Sequence, residues 1–249
     1  MKYLNMVKYR LFDIKDSFII YYIIILMIQL GKCIIIIKNK VTMAVPEVFI
    51  ATAIFLFVCG LNSFKQQFKL LMQNGFSRQS IHWGFVAFLP IAIILSLVDY
   101  LIYSIQFFVC RIATSNTILT TNIVNPFNFS ENYSPAKTLV VSIILMAVLY
   151  AATLSFGYMV SALFYRLHKV GKILIAVGIP AAIVFTSAMA SISENGALLI
   201  YFARSMFLGS PYTDNAPFYV MHFICVLALY IILCLSASHL LIRKATIKQ

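Results

Sequence analysis

The stretch "FKLLMQNGFSRQS", Phe68–Ser80, lies between two long apolar runs and reads as a helix end, a turn and a helix start. Counted from Phe64, residues Phe68, Leu71 and Met72 share one helical face, whereas Lys65, Gln66, Lys69 and Gln73 are mostly directed elsewhere. Asn74-Gly75 supplies the left-handed position that commonly ends a helix, since glycine has no side chain to clash there. Ser77 is then placed to cap the next helix by accepting from its first free amides. The spacing predicts a basic amphipathic helix over 64–76 joining two membrane crossings, and Trp83 suits a membrane boundary.

Outward from this turn the chain is overwhelmingly apolar. Of 249 residues, 62% are hydrophobic and 10% charged, and the mean hydropathy is +0.96, outside the range of water-soluble domains. Six runs reach the ~20 apolar residues a bilayer crossing needs. They lie near 17–37, 46–63, 78–110, 138–165, 172–193 and 216–242, which makes the expected fold an all-α polytopic membrane protein in a single domain, 1–249. With both termini cytoplasmic, only Lys32, Lys38, Lys40, Arg111, Lys137 and Arg204 of the 19 Lys and Arg fall outside. That asymmetry favours this orientation, with the basic first outer loop as its weakest point.

Several features refine the layout. Before the first crossing, Leu4, Val7, Leu11, Ile14 and Phe18 recur at helical spacing, with Lys2, Lys8 and Lys15 off the stripe and Arg10 at its edge, which describes residues 1–16 as an interfacial helix lying among anionic headgroups. An irregular basic tail is the plainer reading. A secretory signal is imitated by Lys2, Lys8 and Arg10 before the apolar run, but the run is too long and is followed by further lysines, so a retained helix is expected. The third run is long, and Pro90 is placed to kink it. Gly178, Ala182, Thr186 and Ala190 recur at spacing four in the fifth run, as do Gly157 and Ser161 in the fourth; such stripes let helix backbones approach closely. Residues 196–208 are apolar but too short to span, which suggests an outer re-entrant or interfacial helix.

Asp99 is the only acidic residue well inside an apolar run. Intramembrane carboxylates are costly and often functional, so a proton contact, a cation contact or an outer gate is one reading. The other is an outer-interface residue paired with a cation: Asp99 lies 16 residues beyond Trp83, about 24 Å along a helix, and Lys32 can snorkel to a similar level.

Catalytic signatures are lacking. No GxxxxGK[ST] occurs, so the chain has no phosphate-cradling loop of its own, and there is no HExxH. His82, His168, His222 and His239 are scattered. The five cysteines sit within or at the ends of apolar runs without a CxxC pair and read as packing residues. No basic stripe with interleaved aromatics stands clear of apolar sequence, which argues against nucleic acid as a partner. No enzyme activity, bound cofactor or metal is expected of this chain.

"FKLLMQNGFSRQSIHWGF", Phe68–Phe85, resembles the segment joining the second and third membrane helices in small permease subunits of type-2 ABC exporters from low-GC Gram-positive bacteria. In architecture the resemblance spans the whole chain; in residues it is specific only across about Phe64–Phe85. It implies that helix 64–76 is a coupling helix docked on a separate ATP-binding subunit, with Phe68, Met72, Asn74, Gly75 and Arg78 at or beside the contact. It also implies ATP and Mg on that partner, a second permease subunit, identical or similar, and a bacterial cytoplasmic membrane location among lipid. A hydrophobic or amphipathic cargo follows as an expectation: peptide, toxin, lipid or drug. A role in bacteriocin immunity or peptide export rests on the resemblance alone. The competing function is a non-transport sensor or immunity module acting by association, in which the same segment is a lipid-anchored connector.

Overall fold

The structure, a computed structural model, describes residues 2–39, 45–46, 48–113, 120–121, 134–168, 171–172 and 216–243. Among these the fold is helical: α1 (Lys2–Asn39), α2 (Phe49–Gln73), α3 (Arg78–Val86), α4 (Ile91–Ala113), α5 (Pro135–Arg166) and α6 (Ala216–Arg243). One two-residue parallel pairing joins β1 (Val45–Pro46) to β2 (Thr120–Thr121). Among the described residues five segments are long and apolar enough to cross a membrane: Arg10–Ile35, Phe49–Gln73, Arg78–Gln106, Ala136–Arg166 and Val220–Arg243. The expected crossing at 172–193 beyond Lys172, the outer helix at 196–208 and the stripe Gly178, Ala182, Thr186, Ala190 lie outside the described residues.

Two boundaries differ from the expectation. Residues 1–16 and 17–37 were expected as an interfacial helix followed by a crossing; from Lys2 to Asn39 they form one helix of 38 residues, about 57 Å long against a bilayer core of ~30 Å. Residues 64–73 are likewise the final turns of the 25-residue α2 and not a separate helix. In both places the junction carries neither proline nor a turn pair, so each added residue gains a backbone hydrogen bond and winding continues past the membrane boundary. The third run does divide. Pro90, lacking an N–H, falls in a turn between α3 and α4, where Phe88, Leu89, Ile91, Ala92 and Ile93 donate to carbonyls three residues back, a tightened winding that keeps the backbone paired.

The helix directions follow from side-chain contacts. Arg10 meets Ser63 and Tyr21 meets Thr52, so α1 and α2 are antiparallel. Arg10 also faces Phe85 while Tyr22 reaches Asp99, so α1 runs parallel to α3 and α4. Tyr158 stacks on Phe85 and Tyr150 bonds Asp99, so α5 is antiparallel to them. Arg78 bonds Arg243 and His82 contacts His239, so α6 runs as α5 does. Consequently α1 begins and α6 ends at the same end of the bundle, while the end of α5 and the start of α6 lie at opposite ends.

The core centres on α2, α3 and α5. Phe64 and Phe68 stack on one another, and each meets Tyr165 in an edge-to-face contact at 5.5 Å. Tyr158 and Phe85 are parallel at 3.7 Å. The tightest approach is between α2 and α5 at Gly60 and Gly157. A Cβ on Gly60 would lie 2.5 Å from the Leu154 carbonyl oxygen, and one on Gly157 would overlap the Phe57 carbonyl. Small residues at a crossing let two backbones meet in lipid, where packing and not water exclusion drives association. Two of the buried hydroxyls are satisfied within their own helix: Ser63 donates to Cys59 O and Ser238 to Cys234 O, each four residues back.

Candidate functional site

Two places bring polar chemistry together: the tip after α2, and a carboxylate within the bundle. At the tip α2 continues five residues, about 7.5 Å, beyond Phe68, which meets Tyr165 one residue before α5 ends. Asn74 N bonds Leu70 O, Gly75 N bonds Met72 O and Phe76 N bonds Leu71 O, at 3.0–3.1 Å. Gly75 has φ of 76°. The last two bonds form a Schellman ending, and Phe76 packs on the core cluster that holds Leu71, the apolar contact that accompanies it. Ser77 then caps α3, its Oγ accepting from Ser80 N at 3.2 Å, as the sequence predicts. Arg78 donates from Nη1 to the Arg243 carbonyl at 2.9 Å, satisfying an oxygen left free at the end of α6. Beside it, Arg78, Gln79, His239, Ile242 and Arg243 line a hollow of about 370 Å³.

The residues grouped on this segment therefore separate. Asn74 and Gly75 are exposed and Met72 and Arg78 half-buried, whereas Phe68 is fully buried against α5. Leu70, which the helical face had not singled out, is 40% exposed and adds apolar area at the tip. The reason is rotational: residues 64, 68 and 71 form the stripe that holds α2 to the bundle, and 70, 72 and 74 fall to its sides.

Within the bundle Asp99 is 2% exposed. Tyr22 donates to its Oδ1 at 3.0 Å and Tyr150 to its Oδ2. Thr52 stands beside the same carboxyl group and shares a 2.7 Å hydrogen bond with Tyr21. Side chains from α1, α2 and α5 thus close on one carboxyl group carried by α4. The expected partner Lys32 is not among them: it lies ten residues past Tyr22 on α1, about 15 Å along the axis. Among the described residues, tyrosine hydroxyls and not a cation meet Asp99. Their offsets of 77 and 51 residues leave no trace in local spacing; only the tyrosines' place within apolar runs hinted at buried donors.

Arg10 was expected at the edge of an interfacial helix and is instead 1% exposed. Its Nη1 donates to Ser63 O at 3.2 Å, its guanidinium lies 5.6 Å from the Phe85 ring centre, and Tyr158 stands beside it. Among the described residues neither Nε nor Nη2 has a hydrogen-bond partner. The aromatic face compensates part of that loss, and the residue ties α1 to α2, α3 and α5. Among the described residues no three His, Cys, Asp or Glu side chains are grouped to hold a metal ion. No protein-family model matches the chain, and no curated protein or solved structure was found to be similar to it.

Proposed function

We propose that this chain is the membrane-spanning permease subunit of an ATP-binding-cassette exporter, moving a hydrophobic or amphipathic cargo with ATP hydrolysed on a separate partner. The observation that carries the reading is the tip at Gln73–Ser77. It is exposed, closed by a glycine-dependent helix ending and tied to both α3 and α6, which suits a surface that receives a push and passes it to several helices. In this reading Leu70, Met72, Asn74 and Gly75 form the contact with the ATPase, and Phe68 passes the displacement to Tyr165 on α5. Arg78 passes it to α6. ATP and Mg belong to the partner, and a second permease subunit completes the pathway.

Six crossings and an exporter-like orientation belong to the same proposal. Their support is directional: α5 and α6 run the same way, an arrangement that the proposed crossing near 172–193 would accommodate. The end holding Arg78, Arg166 and Arg243 is the more basic and is assigned to the cytoplasm of a bacterial cell.

The test is affinity purification from the native host in mild detergent, comparing the unmodified chain with a Leu70→Glu, Met72→Glu variant. An ATP-binding subunit should accompany the former and be lost from the latter at equal membrane levels. Absence of an ATPase from both would remove the engine and leave an associating membrane module as the better account.

A further inference from the structure

Beside the core, α1, α2, α5 and Lys172 beyond it line an open cavity of about 930 Å³. Its lining combines opposite chemistries: the cations Lys69 and Lys172, the carboxylate Asp13, the amide Gln67, and the rings of Phe164 and Tyr165. Gln67 is 3% exposed, and its Nε2 donates to Asp13 Oδ2 at 3.1 Å. Its Oε1, by contrast, is buried without a partner among the described residues. A buried amide oxygen left unpaired costs about 1–3 kcal/mol in general, so a donor arriving from the cavity would relieve a standing penalty. The depth also matters. The cavity lies where α5 ends at Arg166 and α6 ends at Arg243, the level at which apolar spans give way to basic residues and lipid headgroups sit.

We propose that this cavity is a phospholipid headgroup site selective for a phosphate that carries a hydrogen-bond-donating head, such as glycerol or ethanolamine. Lys69 and Lys172 take the phosphate. The donor end meets Asp13 and Gln67 Oε1, while Phe164 and Tyr165 lie against the first part of the acyl chains. Asp13 would repel a bare phosphate, and the same charge favours the donor-bearing end of the headgroup. A choline headgroup offers no N–H or O–H and leaves Gln67 Oε1 as it is. The site is distinct from the tip and stands whether or not an ATPase docks there.

The experiment is native mass spectrometry of the full chain released from nanodiscs containing equal parts of phosphatidylglycerol, phosphatidylethanolamine and phosphatidylcholine. Retention of the first two over the third is expected. Lys69→Gln with Lys172→Gln, both exposed positions, should weaken retention about tenfold to thirtyfold, since each cation near a headgroup contributes roughly one factor of five. Equal retention of phosphatidylcholine would overturn the proposal without any variant being needed. So would unchanged retention in the double variant.

Discussion

Replacing Gly60 by alanine tests the account of how the bundle is held together. The added Cβ would sit 2.5 Å from Leu154 O, 3.0 Å from Gly157 Cα and 3.0 Å from Tyr158 N, against 3.4–4 Å for ordinary contact. All three obstacles are backbone, so no rotamer change relieves them, and α2 must move about 1 Å from α5. A gap of 0.5–1 Å forfeits about a quarter to a half of the dispersion energy at the surfaces it separates. Those surfaces include the Phe57–Phe156 and Phe64–Tyr158 contacts. A loss of about 2–3 kcal/mol is expected, the upper part of the range for overpacking. The assay is reversible unfolding in mixed micelles titrated with sodium dodecyl sulfate, followed by circular dichroism. Gly31→Ala is the control: nothing lies within 4 Å of a Cβ there, and helix propensity should make it neutral or more stable by up to about 1 kcal/mol. Gly60→Ala with Gly157→Ala should cost clearly less than the two single losses together, because the first displacement already makes room for the second methyl. Full additivity, or a Gly60→Ala loss below about 0.5 kcal/mol, would refute the close crossing.

Two further outcomes are expected. Gly75→Val forces a β-branched residue to φ of 76°, a strain of about 1–2 kcal/mol or more. Because nothing crowds a Cβ there, membrane insertion should persist while ATP hydrolysis in the proposed complex becomes uncoupled from transport; coupled transport at the normal rate would remove the role assigned to the turn. Tyr150→Phe deletes the buried donor to Asp99 and should destabilise the chain by about 1.5–3 kcal/mol in the same detergent titration. In an Asp99→Leu background the same substitution should have almost no effect. An equal loss in both backgrounds would mean that the hydroxyl acts elsewhere.

What could be read from the sequence was local in origin. The ending at Asn74-Gly75, the cap at Ser77 and the break at Pro90 each depend on one residue's backbone preference or one short hydrogen bond, and all three are present. Helix boundaries at the membrane surface were less legible, because a helix crossing from lipid into the interface meets no backbone event that would stop it. That is why the expected joints near 16 and 64 do not appear. Partners across the bundle were not legible at all. Gly157 stood out as a small residue, but its counterpart Gly60 is 97 positions away, and the two become a pair only once α2 and α5 are parallel. Arg10 shows the same limit from the other side. Charge placed it at a surface, and the ring of Phe85 with the Ser63 carbonyl made its burial tolerable.

The separate sites share one physical element. α2 carries Thr52 beside the enclosed carboxyl group near one end, Gly60 at the crossing with α5, and the glycine-closed tip at the other end. From Thr52 to Gln73 is 21 residues, about 31 Å of continuous helix. On the proposed reading this continuity replaces the separate coupling helix over 64–76 expected from sequence. A separate helix would have to push the crossing through a flexible joint, whereas displacement of the tip of α2 tilts the whole element about its tightest contact. The Gly60–Gly157 crossing is the natural pivot, because backbones in contact cannot approach further and side-chain interlocking on either side resists sliding. A pivot there would move Thr52 in the opposite sense to the tip and alter the hydroxyls around Asp99. Linked behaviour of this kind requires energetic coupling and not mere intermediacy. If Gly75→Val changed transport coupling while hydrogen exchange at Tyr22, Thr52 and Asp99 stayed unchanged, α2 would be a set of independent sites on one helix. A matched change at both ends would identify it as a lever.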